Sequence, residues 1–285
     1  MSGSRAAGVG GAPAPRIGGV ELVLLDLDGT VYEGTRPVPG GVAAIERLRA
    51  AGLAVFFTTN TDSITPAALV ERLRRMGVPA GVDEVLTPVA LAAQLFAGMP
   101  RPRVLAVASA GVRELLAPYL ARAGEPAAHV LVSDPSYGAT YAELDAAFRA
   151  VRAGAALVAT QMNRVVRRDD GEHLDTGGWV RLLEYATGVD ARVLGKPQPD
   201  FFRLALERAG ARAAGALMVG DDRASDVGGA HRVGIRAVLV RTGKGSDPDG
   251  GARAAAPGGP PGAAPGAEPD AVLPSLAELP DLLGA

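Results

Sequence analysis

The segment Asp26-Leu27-Asp28-Gly29-Thr30 constrains the fold of this chain more than any other part of its sequence. It follows an apolar run, residues 20–25, that predicts a buried β-strand, and the strand ends here because Asp and Gly are poor strand formers. Two carboxylates two residues apart point to the same side of an extended backbone. They repel each other unless a cation lies between them, and Mg²⁺ prefers such hard oxygen ligands. Alone, such a segment most often means only a capped turn at the end of a strand.

Two further segments place polar groups where a phosphate could bind. Residues 56–61 predict a second buried strand that ends at Thr59 and Asn60, where a hydroxyl and backbone N–H groups suit a phosphate oxygen. Gly195-Lys196-Pro197 predicts a stiff, exposed turn, in which the Lys196 ammonium can screen charge between a carboxylate and a phosphate. Each segment also has an ordinary explanation: helix capping for the first and a solvated surface lysine for the second.

A fourth segment, Gly220-Asp221-Asp222-Arg223-Ala224-Ser225-Asp226, follows another apolar strand. Asp221 would complete an oxygen cage around a metal ion, and Asp226, one helical turn later, would support it from behind. The acids also suit a capped helix start, a role that is compatible with metal binding. In this order, the four segments predict that Asp26, Thr59 and Asp221 meet at one edge of a sheet, beside Lys196 and a divalent cation.

Alternating strand and helix patterns predict an α/β fold with a parallel sheet that is covered by helices on both faces. The predicted strands cover residues 20–26, 53–59, 216–219, 235–240 and 271–273, and the predicted helices cover residues 40–51, 66–76, 89–96, 225–233 and 275–283. The middle of the chain has a second series of alternating strand and helix patterns. Its predicted strands cover residues 104–108, 130–132 and 156–160, and they precede predicted helices at 112–122, 141–153 and 179–186.

These two series of strands and helices predict how the chain divides into domains. Residues 100–190 are enough for an inserted α/β domain, and residues 18–99 and 191–285 form the predicted main domain. Residues 1–17 predict a flexible tail. The Gly- and Pro-rich residues 243–269 predict a flexible surface loop, because they cannot bury enough apolar area to order themselves.

The composition argues against several classes of function. The 29 basic and 31 acidic residues nearly cancel, so no net field draws the chain to nucleic acid or to a membrane surface. The chain has no Cys, which excludes disulfides, thiolate metal sites and a cysteine nucleophile. We find no run that fits a signal peptide or a membrane span, and therefore predict a cytoplasmic protein without nucleic-acid or membrane partners.

The four ordered segments resemble the motifs of the haloacid dehalogenase superfamily of aspartate-based phosphotransferases. The resemblance runs from Val20 to Val240 and includes the last strand and helix. The insertion between Thr59 and Lys196 is similar to that of the class with a large α/β cap (class IIA, the NagD and p-nitrophenylphosphatase group). This resemblance implies a Rossmann-like core with an inserted α/β cap of the C2 type.

The resemblance also implies roles for the matching residues. Asp26 matches the nucleophile that forms an aspartyl-phosphate, and Asp28 matches the general acid and base. Asp26, the Asp28 carbonyl and Asp221 would hold Mg²⁺, with Asp222 and Asp226 behind them. Lys196, Thr59 and Asn60 would contact the phosphate.

The cap of the resembling enzymes selects the substrate, and its specificity loop matches residues 160–168 here. Many NagD-type relatives carry Asp where this chain has Asn163, so their sugar-phosphate or nucleotide preferences do not transfer. Asn163 and Arg164 are candidate substrate contacts, as is Arg167, although a solvated hairpin tip explains the arginines equally well. Asp134, after another cap strand, is a weaker candidate.

The resemblance therefore predicts a Mg²⁺-dependent phosphatase of small phosphorylated molecules: phosphoesters, pyrophosphate or phosphoamino acids. Dehalogenases need no acid two residues after the nucleophile, so Asp28 favours a phosphatase. The alternative is a phospho-accepting regulatory or binding module with little turnover, but such modules lack an insertion of this size. An inactive binding scaffold is a third option, although each catalytic position has the expected residue type. Related capped enzymes often dimerise, so a homodimer also stays open.

Overall fold

The computed structural model describes residues 16–168, 170–246 and 267–285. Most of the tail predicted at residues 1–17 and the central part of the loop predicted at 243–269 lie outside these ranges. Two parallel sheets organise the described chain, one of six strands and one of four. In the described residues no helix is both long and apolar enough to span a bilayer.

The larger sheet is fully parallel, and its first strand in sequence lies near its centre. Its strands, in spatial order, are β14 (Ala271–Leu273), β13 (Arg236–Val240), β12 (Ala216–Gly220), β1 (Leu22–Asp26), β4 (Ala54–Thr58) and β5 (Val85–Leu86). Because β1 lies between β4 and β12, the chain leaves β1 toward one side of the sheet and returns on the other. Ligands of open α/β sheets bind in the crevice that such a reversal leaves at the carboxyl ends of the strands.

Helices cover both faces of the larger sheet, as expected for strands that are apolar on both sides. One face carries α1 (Gly41–Ala50), α2 (Pro66–Arg75) and α9 (Leu279–Leu283), and the other carries α3 (Pro88–Ala97), α7 (Pro199–Ala209) and α8 (Gly228–His231). Thr65 and Thr87 begin α2 and α3, because each hydroxyl accepts a backbone N–H of the first turn and each is followed by Pro.

The smaller sheet is also fully parallel and forms the cap. Its strands, in spatial order, are β11 (Arg192–Val193), β8 (Ala156–Ala159), β7 (His129–Val132) and β6 (Val104–Val107). The helices α5 (Tyr141–Arg152) and α6 (Thr176–Thr187) pack on one face of this sheet. The short helix α4 (Ala110–Leu115) follows β6 on the side of α3.

One apolar cluster connects the two sheets around α3. Phe96 of α3 is fully buried together with Leu131 of the cap and Phe202 of α7. The Phe96 ring lies 5.6 Å from the ring of His129, at the start of β7. The fold is therefore an α/β parallel-sheet core with an inserted α/β cap, which confirms the predicted fold class.

Several elements differ from the prediction. The helix predicted at 112–122 ends at Leu115, before a 3₁₀ turn at Ala117–Tyr119, because Pro118 has no N–H to donate to an α-helix. The helix predicted at 225–233 begins as a π-helical turn at Arg223–Val227. The patterns did not indicate α7, or the short antiparallel hairpins of β2 (Tyr32–Glu33) with β3 (Arg36–Pro37) and of β9 (Val165–Arg168) with β10 (Gly171–Leu174).

The strand pairing suggests one adjustment to the predicted domains. Arg192 and Val193 pair with Val158 and Ala159 of the cap, although the prediction placed the end of the cap at residue 190. We propose that the cap continues to Val193, and the other predicted boundaries stay predictions.

Candidate active site

The carboxyl ends of three neighbouring strands bring Asp26, Thr58 and Asp221 to one edge of the larger sheet. Asp26 is the last residue of β1 and is in register with Thr58 of β4. Asp221 directly follows β12, which lies on the other side of β1. Both carboxylates are buried, with 7% of Asp26 and 4% of Asp221 exposed.

Lys196 lies in the centre of this group and is not the exposed turn residue that its sequence context predicted. Only 3% of Lys196 is exposed. Its Nζ atom donates to Oδ1 of Asp26 at 2.5 Å, to Oδ1 of Asp226 at 2.7 Å and to the carbonyl of Thr58 at 3.3 Å. Burial alone would lower the pKa of Lys196, but the carboxylates of Asp226 and Asp26 outweigh it and raise this pKa above its usual value. The ammonium therefore stays charged.

Asn60 holds the backbone of Lys196 in place. The Lys196 N–H donates to Oδ1 of Asn60, and Nδ2 of Asn60 donates to the Lys196 carbonyl, both at 2.9 Å. Asn60 was predicted as a phosphate contact. In the structure its side-chain amide is already used to position Lys196, which leaves its backbone N–H as the group that could meet a phosphate.

Three buried carboxylates lie close together beside Lys196, whose ammonium pairs with two of them, Asp26 and Asp226. Carboxylate oxygens of Asp26, Asp221 and Asp226 all lie within 4.8 Å of one another. Burial raises the pKa of Asp221 and of Asp226, and the charge of Asp26 adds to both shifts. Buried negative charge in excess of its cations is unfavourable, so this arrangement favours a bound cation.

The hydrogen bonds distinguish the oxygens that could bind a metal from those that could not. Both oxygens of Asp226 already accept, from Lys196 Nζ and from the Asp222 N–H at 3.1 Å. Asp221 accepts the Lys244 N–H at Oδ2, and Asp26 accepts Lys196 at Oδ1. Among the described residues, Oδ2 of Asp26 accepts a long hydrogen bond from the Thr30 hydroxyl, at 3.5 Å, and Oδ1 of Asp221 accepts none. These two oxygens are therefore the best placed for Mg²⁺, and this donor set fits a hard divalent ion.

Asp222 and Lys244 hold a loop beside the site. Oδ1 of Asp222 accepts the N–H groups of Ala224 and Ser225, both at 3.0 Å, and Oδ2 accepts Lys244 Nζ at 3.0 Å. Burial raises the pKa of Asp222, but Lys244 and these N–H groups lower it to about 2. Lys244 was not predicted as a site residue, although its position in Gly243-Lys244, shortly after the end of β13 at Val240, is a readable signal.

Gly29 and Gly243 leave room for Asp221. Gly29 has φ 87°, and a Cβ atom there would lie 2.1 Å from Oδ2 of Asp221. A Cβ atom on Gly243 would lie 2.3 Å from the same oxygen. The Thr242 hydroxyl joins the two loops by donating to the Gly29 carbonyl at 2.5 Å. The motif therefore needs glycine for space as well as for backbone conformation.

We expect Gly29→Ala to lower hydrolytic activity by at least about tenfold, since a shift of Asp221 that costs about 1.4 kcal/mol in transition-state binding has this effect. Gly52→Ala is a matched control, because Gly52 has φ 84° and a Cβ atom there would meet nothing within 4 Å. Both variants should lose about 1 kcal/mol of stability through the positive φ, and only Gly29→Ala should lose activity. Urea unfolding and steady-state kinetics measure the two effects. Equal activity of the two variants would contradict this interpretation.

Asp28 and Thr59 flank the carboxylate group. Asp28 is exposed, yet its pKa is raised, because nearby protein atoms remove part of its hydration and the Asp26 carboxylate disfavours a second charge. Thr59 is buried, and its hydroxyl accepts the Thr61 N–H at 3.0 Å. Both residues lie where the sequence placed them, next to the ends of β1 and β4.

Within the described residues, neither Asn163 nor Arg164 forms a hydrogen bond with the carboxylates at the end of the larger sheet. Both residues lie in the loop after β8. Arg164 and Arg181 line a cap cavity of about 200 Å³. Asp134, the weaker candidate, caps a turn by accepting the backbone N–H and the hydroxyl of Ser136 at 2.8 and 2.7 Å. The side chain of Arg167 lies outside the described part of the chain.

Comparisons with known proteins agree with this fold. Residues 23–119 match a family of haloacid dehalogenase-like hydrolases, and residues 193–279 match a second family of the same kind. Phospholysine phosphohistidine inorganic pyrophosphate phosphatase of Xenopus laevis is 36% identical over 235 residues, which is 79% of this chain and 85% of the relative. Haloacid dehalogenase-like hydrolase domain-containing protein 2 of Homo sapiens is 37% identical over 225 residues, with 79% and 85% of the two chains covered.

Solved structures of known proteins have a similar fold. A 4-nitrophenylphosphatase from Thermotoga maritima superposes with a TM-score of 0.83 at 27% identity, over 93% of this chain and 98% of the other. A glycerol phosphate phosphatase from Mycobacterium tuberculosis, solved in complex with magnesium, has a TM-score of 0.72 at 32% identity, over 79% and 68% of the two chains.

The chain belongs to the haloacid dehalogenase-like hydrolases. Within them it falls into class IIA, the capped NagD and p-nitrophenylphosphatase group, as its motifs and its cap had indicated.

Proposed function

We propose that this hydrolase is a Mg²⁺-dependent phosphatase of small phosphorylated molecules that works through a phosphoryl group carried on Asp26. The observation that carries the proposal is the 2.5 Å contact between Lys196 Nζ and Oδ1 of Asp26 at a buried sheet edge. The ammonium balances the negative charge of the Asp26 carboxylate, which is the nucleophile in this proposal.

The residues around Asp26 have complementary tasks in this proposal. One carboxylate oxygen of Asp26 attacks phosphorus while the other faces the metal site, and the leaving oxygen takes a proton from Asp28, whose raised pKa suits an acid. Asp28 then removes a proton from the water that hydrolyses the aspartyl-phosphate. Thr59 and the Asn60 N–H bind phosphoryl oxygens, and Lys196 stabilises the charge that develops on them.

Asp26, the Asp28 carbonyl and Asp221 would hold the metal ion, and Asp226 and Asp222 would orient the ligands through Lys196 and the loop at Lys244. Bound there, Mg²⁺ would offset the repulsion between the Asp26 carboxylate and the phosphoryl group. The magnesium complex of the related glycerol phosphate phosphatase supports this choice of metal.

We expect excess EDTA to abolish hydrolysis and Mg²⁺ to restore it. Mg²⁺ should also raise the melting temperature of the wild type, because a ligand that binds only the folded state stabilises it. Asp221→Asn should remove most of this thermal shift, whereas Asp145→Asn should keep it, since the ion pair that Asp145 forms within the described residues is with Arg149, along α5 of the cap. A wild type that is fully active in EDTA, with no thermal shift in Mg²⁺, would contradict the metal assignment.

A substrate panel tests the finer proposal. We expect turnover of p-nitrophenyl phosphate and of at least one of pyrophosphate, phospholysine and phosphohistidine, the substrates that the name of the Xenopus laevis relative suggests. No hydrolysis of any phosphorylated compound, together with an aspartyl-phosphate that lasts for hours, would instead favour the regulatory module. The cytoplasmic location and a homodimer stay predictions.

A further inference from the structure

Four hydroxyl groups of the cap converge on two adjacent residues of the core, Asp62 and Ser63. These residues belong to the loop between β4 and α2. Each hydroxyl comes from a different part of the cap: three lie just after the carboxyl ends of β6, β7 and β8, and one lies at the start of α6. The four bonds run from Ser109 Oγ to the Ser63 carbonyl (2.9 Å), from Ser133 Oγ to the Asp62 carbonyl (2.6 Å), and from Thr160 Oγ1 and Thr176 Oγ1 to Oδ2 of Asp62 (2.5 and 2.9 Å).

The Asp62 carboxyl is the centre of this contact and lies in an unfavourable environment. Only 3% of the residue is exposed. Burial raises the pKa of Asp62 to about 7, with a further contribution from the negative charges of Asp175 and Asp134, while the Thr160 and Thr176 hydroxyls lower it. A well-packed apolar residue would usually be more stable at such a position, so stability alone does not explain this carboxyl. A buried polar group with matched donors specifies one arrangement of its neighbours.

The loop that carries Asp62 also reaches the catalytic lysine. Thr59 follows β4, Asn60 holds the Lys196 backbone through two hydrogen bonds, and Asp62 follows two residues later. One short segment therefore contacts Lys196 at its beginning and the cap at its end.

On the cap side, hydrogen bonds continue from Thr176 to the loop that was predicted to select the substrate. Oδ1 of Asp175 accepts the Thr176 N–H at 2.7 Å and Nε2 of Gln161 at 2.8 Å. Oε1 of Gln161 in turn accepts the N–H of Asn163. The position of Thr176 is thus connected to the backbone of the loop that carries Asn163 and Arg164.

We propose that Asp62 is a positioning residue that docks the cap onto the core and, through Thr176, Asp175 and Gln161, fixes the loop that carries the candidate substrate contacts Asn163 and Arg164. This inference rests on the proposed function, which it deepens: Asp62 acts on substrate binding by the cap and not on the chemistry at Asp26.

Kinetics with p-nitrophenyl phosphate test the proposal. Asp62→Ala should raise KM by about tenfold, the effect of one lost hydrogen bond of ordinary strength, and change kcat by a smaller factor. Asp62→Asn should restore most of the loss, because its amide oxygen can accept the same hydroxyls. Thr176→Val removes one donor from the other side and should raise KM too. Thr187→Val is the matched control, since that buried hydroxyl on the same helix donates to the Leu183 carbonyl inside the cap.

A distance measurement tests docking without relying on catalysis. The chain has no native Cys, so Glu46→Cys on the core and Tyr185→Cys on the cap give two unique spin-label sites. Both residues are exposed, Tyr185 to 93%. We expect a narrow distance distribution in the wild-type background and in Thr187→Val, and a broader one in Asp62→Ala and Thr176→Val.

The two readouts separate the failure of each proposal. A wild type that hydrolyses no phosphate would refute the proposed function, while the distance distributions would still decide the role of Asp62. Unchanged KM and unchanged distances in Asp62→Ala, or in Thr176→Val should the alanine variant not fold, would overturn the inference.

Discussion

Asp26→Asn should remove hydrolysis of p-nitrophenyl phosphate almost completely, by about 10⁴-fold or more in kcat, because an amide cannot form the covalent phosphoryl intermediate. The variant should stay folded, since Asn has the shape of Asp and removes one of three crowded carboxylates. Steady-state kinetics at saturating Mg²⁺, with circular dichroism as a check of the fold, measure the effect. Acid quenching with ³²P-labelled substrate should trap a phosphorylated wild type and no phosphorylated variant.

Asp134→Asn is a suitable control for this variant. Asp134 is also a buried Asp after a parallel strand, but the hydrogen bonds of its carboxylate in the described part of the chain cap a turn at Ser136. We expect its kcat to stay within a few-fold of the wild type. Activity of Asp26→Asn close to that of Asp134→Asn would exclude Asp26 as the nucleophile.

Lys196→Met should have the largest combined effect on stability and catalysis. It leaves the Asp26 and Asp226 carboxylates buried without their ammonium, and breaking a buried ion pair in this way costs about 3–5 kcal/mol. Hydrolysis should fall by about 10²–10³-fold, because in the proposed mechanism the same ammonium stabilises the phosphoryl oxygens. Urea unfolding in EDTA gives the loss of stability, and kinetics in Mg²⁺ give the loss of activity.

Two further variants test whether the loss of stability comes from the unpaired buried charges. Lys196→Met/Asp226→Asn should recover part of the lost stability and none of the activity, because it removes one unpaired charge without restoring the ammonium. Lys244→Met breaks a pair whose lysine side chain is 58% exposed, and should cost no more than about 1 kcal/mol. Equal stability of Lys196→Met and Lys244→Met would show that the buried pairs do not stabilise the site.

The sequence predicted the parallel core and the cap because their strands are apolar runs that alternate with helix patterns, and three of the core strands end in Asp26, Thr58 and Gly220. It did not reveal β5 and β11, which have two residues each, or the hairpins, because so few residues produce no periodicity. Strand pairing with distant residues creates these elements. The helix at Pro199–Ala209 was missed although its ends are readable, since Pro stands at its start and Gly210 follows its last residue.

For the candidate site, too, some residues could be predicted from the sequence and others could not. Asp26, Lys196 and Asp221 could be found because each follows a recognisable strand or turn. The sequence could not show that Lys196 is buried, because its burial depends on carboxylates 170 residues before it and 30 residues after it. Asp62 gave no signal either: its partners, Thr160 and Thr176, are 98 and 114 residues away.

The apolar cluster around α3 has a consequence for how the molecule melts. Leu24 and Met218 of the core strands, Leu131 and Val158 of the cap strands, and Phe96 between them are members of the same cluster. On the side of α3, the core and the cap share one set of buried apolar side chains. Unfolding either domain therefore exposes apolar side chains of the other to water. Core and cap should therefore unfold together in one cooperative transition. The cap expressed alone should fold poorly, although it has a complete sheet of its own.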